Sequence, residues 1–237
     1  MDLTQLKEYL NKLKEELEHG DKKFLEDKLS SLVSVFPFNE YEYILIFLKD
    51  REIITFEKYE KLRNNYVSTN KYLSLFEMAP RVFGQVWGEE HLRSIDSRFK
   101  EVSKELDKAF DGEYDVWFEG IKLEVKACRA INTEKRGSLV SKALHYASKE
   151  PFWMNFQQLK ADACSVFIFI GVWVDLIVYW VLSSKDVKEN KYLSHQHRGG
   201  VEYQIGITDR NISDFERYRV PASKIAETVL AKARGVK

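Results

Sequence analysis

Apolar residues recur at three- and four-residue steps over the first third of the chain, which predicts amphipathic helices. Leu3, Leu6, Leu10, Leu13 and Leu17 form one stripe, and Gly20 supplies a stop. Phe24, Leu25, Leu29, Leu32 and Phe36 form a second stripe, ending before Pro37. Residues 40–49 and 56–65 carry helical spacing as well. The leucines also fit a heptad, but about two and a half heptads make a short coiled coil. The favoured reading is packing within a helical subdomain over residues 1–79. Beyond Pro80, Leu92, Ile95, Phe99, Val102 and Leu106 predict a long helix over residues 82–110. From residue 114 the period shortens to two. Segments 114–118, 121–128, 165–170, 176–182 and 202–208 read as strands, with Glu119-Gly120 as a hairpin turn between the first two. A helix is expected to cross at residues 155–161, and another to close the chain at 223–234. This order describes an α/β core over residues 80–237.

Residues 163–182 are the most apolar stretch and approach the length of a membrane span. Gly171 and Asp175 interrupt them, and β-branched and aromatic residues dominate, so two buried strands joined by a turn are the better reading. The N-terminal twenty residues are charged throughout, without the apolar centre of a signal segment. Cys128 and Cys164 are too few for a disulfide framework and form no CxxC pair for zinc. A cytoplasmic protein without membrane association is expected.

Composition narrows the picture further. The 237 residues include 15 Phe, 12 Tyr and 5 Trp, enough core material to exclude a disordered chain. Lys and Arg number 37, as do Asp and Glu, which argues against a generally basic nucleic-acid coat protein but not against a local basic groove. Residues 100–119 carry a net charge of −4, and residues 120–160 carry +5.

That change of sign falls on the segment YDVWFEGIKLEVKACRA, residues 114–130. Strand alternation puts Glu124 and Lys126 on one face and Val125 on the other. A tight hairpin brings Asp115 beside Glu124. Neighbouring carboxylates repel unless a cation lies between them, and hard oxygen ligands suit Mg²⁺. A lysine two residues on can hold a water and offset phosphate charge. Such parts serve metal-assisted phosphodiester hydrolysis. Standing alone, D-x(8)-E-x-K is also the pattern of a solvated hairpin face.

Through Asp115 and the Glu124-Val125-Lys126 triplet, the chain resembles the PD-(D/E)xK nuclease superfamily, and within it the type II restriction endonucleases. Gln157-Gln158-Leu159-Lys160, read as a helix, and the strand pair after it are the supporting context. The resemblance covers residues 80–210 in element order but few positions by motif, and Tyr114 replaces the proline that often precedes the first acid. It implies a mixed central sheet flanked by helices, with Asp115 and Glu124 binding Mg²⁺ and Lys126 orienting the attacking water. It also implies an acid from the first core helix, for which Glu89 is a better candidate than Glu90, and a Gln or Lys from the crossing helix, Gln158 or Lys160. A helix N-terminal charge is the equal competitor for Glu89.

DNA contact is expected from the basic flank. Arg129, Asn132, Lys135, Arg136 and Lys142 lie in a polar segment, where Arg suits guanine and Asn suits adenine. Lys160 adds charge, and His195, Gln196, His197 and Arg198 form a second candidate loop. Two histidines without further Cys or His are weak grounds for zinc. GxSxG, GxxxxGK[ST] and GxGxxG motifs are absent. The expected function is Mg²⁺-dependent hydrolysis of double-stranded DNA by a sequence-specific, homodimeric restriction enzyme. The alternatives are a nuclease of repair, recombination or a mobile element, and a non-catalytic nucleic-acid-binding module on the same fold.

Overall fold

The computed structural model describes residues 3–32, 40–195 and 202–235, and the chain is mixed α/β. It divides into two compact units. The first comprises Met1–Glu77, Ser138–Ser148 and Trp173–Leu176; the second comprises Met78–Gly137, Lys149–Val172 and Ile177–Lys237. Among the described residues, no helix is long and apolar enough to cross a membrane.

The first unit is helical: α1 (Leu3–Lys14), α2 (His19–Ser31), α3 (Glu40–Asp50), α4 (Phe56–Thr69) and the short α6 (Leu139–Lys142). Leu6, Leu10, Leu13 and Leu17 are buried, as the stripe predicted. Gly20 is not the stop, however. The helix tightens into i→i−3 bonds after Lys14, and Gly20 lies in the first turn of α2. Phe24, placed on the second apolar stripe, is 47% exposed. Backbone bonds link the two later excursions to each other, Val174 N–H to the Leu144 carbonyl at 3.0 Å, and to the segment after α4, Tyr72 N–H to the Val174 carbonyl at 2.9 Å.

In the second unit a π-helical segment, Val82–Trp87, runs into α5 (Gly88–Ile95). The long helix expected to residue 110 ends here. Asp96 adopts an extended conformation, and its carboxylate accepts from Arg98 N–H at 3.0 Å, a local bond that competes with the helix. Phe99 then packs on Phe118, ring to ring at 4.4 Å, so its apolar character serves the sheet rather than a helix face.

Two sheets follow. The larger has the order β1-β2-β3-β5-β6-β9, from β1 (Lys100–Glu101), β2 (Val116–Phe118), β3 (Ile121–Arg129), β5 (Val166–Val172), β6 (Ile177–Ser183) and β9 (Arg219–Val220). Only β3–β5 is parallel, in register from Leu123↔Val166 to Arg129↔Val172. Every residue of β5 is buried, as the continuous apolar run predicted. The helices α7 (Ser184–Lys188), α8 (Ile212–Phe215) and α9 (Ile225–Arg234) complete the unit. The smaller sheet, β4-β8-β7, is antiparallel and comprises β4 (Trp153–Leu159), β8 (Tyr203–Thr208) and β7 (Leu193–His195).

Strand β4 corrects the crossing helix expected at residues 155–161. Phe156 and Leu159 have helical i,i+3 spacing, but a bulge between them inserts one extra residue into the strand. Gln158 takes up the irregularity at φ 58°, so both apolar side chains stay on the buried face.

Candidate active site

The β2–β3 hairpin turns through Glu119 (φ 47°) and Gly120 (φ 88°), the double positive φ of a type I′ turn. Its ladder continues one residue past β2, with Asp115 N–H bonded to the Leu123 carbonyl at 3.0 Å. The Asp115 side chain therefore meets the middle of β3. Its Oδ2 accepts from Val125 N–H at 3.0 Å and lies 3.4 Å from Lys126 Nζ. Lys126 Nζ is also 2.5 Å from Glu124 Oε1. The cation between the two carboxylates is thus the protein's own ammonium.

Glu124 is the most enclosed of the three, its side chain 5% exposed against 21% for Lys126. The Cys164 thiol lies 3.5 Å from Glu124 Oε2. Burial raises the Glu124 carboxyl above its ordinary range; Lys126 opposes this, and the Asp115 charge adds to it. Burial acts to lower the Lys126 ammonium, but Asp115 and Glu124 outweigh it and the net shift is upward. Glu89, in the first turn of α5, is half-buried, whereas Glu90 is exposed. Burial first, and the Asp115 charge second, push the Glu89 carboxyl up to about 7, against opposing effects of Arg93 and Lys126.

Glu89, Asp115 and Lys126 line one cleft of about 490 Å³, which β4 borders through Asn155, Gln157 and Gln158. Gln158 therefore reaches the site from a bulged strand, not from a helix. Lys160 does not line the cleft; it pairs with Glu113 at 2.7 Å. Arg81, Gly84 and Cys128 also border it, and no sequence motif marked them.

The flanking residues are largely engaged within the protein. Arg129 is half-buried, donates to the Met78 carbonyl at 2.8 Å and lies over the Phe83 ring at 4.4 Å. Asn132 is buried; its amide donates to Glu150 at 2.6 Å and its carbonyl accepts from the Glu134 N–H. Lys135 pairs with Glu150. Of the basic residues between 120 and 160, Lys122, Lys126, Lys135 and Lys160 are all in ion pairs. The charge of this stretch is accordingly much less available than its total suggests. Arg136 is exposed, and Lys142 belongs to α6 of the first unit. His195 ends β7 with its ring 4.6 Å from that of Tyr203, while Gln196, His197 and Arg198 lie outside the described residues.

Among the described residues, no group of three or more His, Cys, Asp and Glu side chains is arranged to hold a metal ion. The pair Asp115 and Glu124 nevertheless offers the hard oxygens that Mg²⁺ takes; Glu124 is the enclosed member, and the Asp115 charge raises the proton affinity of Glu124 and of Glu89. Compared with protein-family models, curated proteins and solved structures, the chain matches none.

Proposed function

We propose that the second unit is a Mg²⁺-dependent endonuclease of the PD-(D/E)xK type, hydrolysing phosphodiester bonds of double-stranded DNA. The supporting observation is the meeting of Asp115, Glu124 and Lys126 on one hairpin, with β3 set parallel to β5 in a mixed sheet. In this reading Asp115 and Glu124 hold the metal, whose chemistry is to polarise the phosphate and acidify a water. Lys126 leaves its bridging position to orient the attacking water and offset charge on the phosphate. Glu89, its carboxyl pushed up to about 7, gives or takes a proton at the edge of the cleft. A sequence-specific restriction enzyme, acting as a homodimer on two-fold sites, is the form of this activity we favour.

Digestion of supercoiled plasmid in Mg²⁺ tests the proposal. Discrete fragments are expected from the wild type, and none from Lys126→Ala or Glu124→Gln, with DNA affinity in Ca²⁺ largely kept. Cutting by Lys126→Ala at the wild-type rate would overturn the assignment. Preference for branched DNA over linear duplex would move the protein to repair, recombination or mobile-element chemistry.

One observation favours a second reading. Lys126 already pairs with both carboxylates, as it would in a purely structural ion-pair cluster. A non-catalytic nucleic-acid-binding module predicts no Mg²⁺-dependent cleavage by any variant.

A further inference from the structure

The smaller sheet has two unlike faces. Register and burial assign Met154, Phe156, Leu159, Ile205 and Ile207 to the inner face. The residues between them turn outward: Asn155, Gln157 and Gln158 on β4, Gln204 and Thr208 on β8, and Ser194 on β7. Not one is charged, in a chain that is 31% charged. The face is thus richer in neutral amides than the chain as a whole, and its polar groups suit a hydrogen-bonding ligand.

The bulge adds to the pattern. It sets two consecutive glutamines, Gln157 and Gln158, opposite the single residue Gln204. Without it, one of them would point into the core. Holding a non-glycine residue at φ 58° costs conformational energy, and such strain persists where the surroundings enforce it. Across the strands Asn155 Nδ2 donates to Gln204 Oε1 at 3.0 Å. That bond orients both amides, while the Asn155 carbonyl and the Gln204 amino group retain capacity for a ligand. Beside them, Trp153 is 48% exposed and lies over Gly206, where an added Cβ would come within 3.1 Å of its Nε1.

Neutral amides select among partners. A phosphate surface needs Lys or Arg, which the strands lack on this face, and a hydrophobic partner needs an apolar patch, where this face offers only the ring of Trp153. Oriented Asn and Gln amides offer a donor and an acceptor together, which is the match for base edges, adenine above all. The β4–β8 pairing is antiparallel, as in the β-ribbons that a major groove admits, and β7 extends it to a three-stranded face. The face is also continuous with the catalytic cleft, because Asn155, Gln157 and Gln158 border the cleft that contains Asp115 and Lys126.

We infer that the outer face of β4–β8–β7 reads base edges of double-stranded DNA in the major groove, setting sequence choice for the nuclease proposed above, on which the identity of this ligand rests. Selection from a random duplex library in Ca²⁺, by the full chain and by its Gln157→Ala and Gln204→Ala variants, separates the two ideas when paired with cleavage in Mg²⁺. The wild type should enrich particular sequences, and each variant should lose about tenfold in preference at one or two base positions, the effect of one amide–base contact. Gln157 is exposed, so its substitution leaves the fold intact and keeps the test valid if Gln204→Ala is unstable. Cleavage by all three proteins with one unchanged preference would overturn the reader and leave the nuclease. A preference that shifts without any cleavage would support the reader and reject the catalytic reading. Absence of both selection and cleavage would overturn both.

Discussion

Replacing Glu89 by glutamine isolates the charge that the cleft tolerates least. Its carboxyl is raised from 4.5 to about 7, chiefly by burial and next by the charge of Asp115. The folded protein therefore holds a proton that the unfolded chain releases between those two values. Stability falls as pH rises through that window, because the fold binds more protons than the unfolded state. Below about pH 4.5 the group costs nothing; above about pH 7 the whole penalty is present. At roughly 1.4 kcal/mol for each tenfold in the equilibrium, this penalty amounts to about 3 kcal/mol. It is an upper bound, because the side chain remains 22% exposed. Glu89→Gln keeps the shape and removes the titration. Urea unfolding between pH 4.5 and 8 should show wild type and variant nearly equal at the acid end. At pH 8 the variant should be more stable by up to about 3 kcal/mol, a midpoint shift of about 1 M for a typical urea dependence. Mg²⁺ bound at Asp115 and Glu124 would offset the repelling charge and shrink the difference at pH 8. Parallel pH profiles for the two proteins would refute the account of Glu89 as a desolvated member of a carboxylate cluster.

Two further predictions concern the same unit. Lys126→Ala removes the ammonium between Asp115 and the enclosed Glu124, and should destabilise the fold by about 2–4 kcal/mol at pH 8; thermal unfolding should show a smaller loss at pH 5, where Glu124 more readily takes up a proton. Gly171→Ala would set a Cβ 2.6 and 2.8 Å from ring atoms of Trp180 and 3.1 Å from Met154 Sδ, within a fully buried strand. Overpacking of that kind should cost about 1–3 kcal/mol in denaturant titration.

The parts of the fold legible in the sequence are those in which one periodicity acts alone. The Leu6 to Leu17 stripe packs as a helical stripe does, and the run 163–182 becomes two buried strands because no polar period divides it. The hairpin turn was legible because Glu119-Gly120 needs two positive φ angles, which glycine permits at one of them. Helical spacing runs on beyond Ile95, where the helix ends, because Phe99 continues that spacing while packing against Phe118 in the sheet core. Spacing records that a residue is buried, not which element buries it. The excursions at Ser138–Ser148 and Trp173–Leu176 bond to the rest of the first unit through their backbone carbonyls, Ser141 accepting from Lys7 Nζ and Val174 from Tyr72 N–H, and a carbonyl leaves no mark in side-chain pattern.

For the candidate site the same division holds, with one instructive exception. Asp115, Glu124 and Lys126 could be placed together because a two-residue hairpin fixes their register once the turn is known. Glu89 could be preferred to Glu90 because helical period decides which of two adjacent acids faces inward. The family resemblance implies Gln158 at the site through a helix that this chain does not form. It borders the cleft nonetheless, because a bulged strand gives Phe156 and Leu159 the separation of one helical turn while turning the glutamines between them outward. The apolar spacing of a bulge and that of a helix are identical over four residues, so no reading of period could separate them. What distinguishes them is Gln157, which a helix would carry around its axis and the bulge instead sets on the same face as Gln158. The neutral face that follows from this was therefore invisible in the sequence, and it is where the structure adds most to the functional argument.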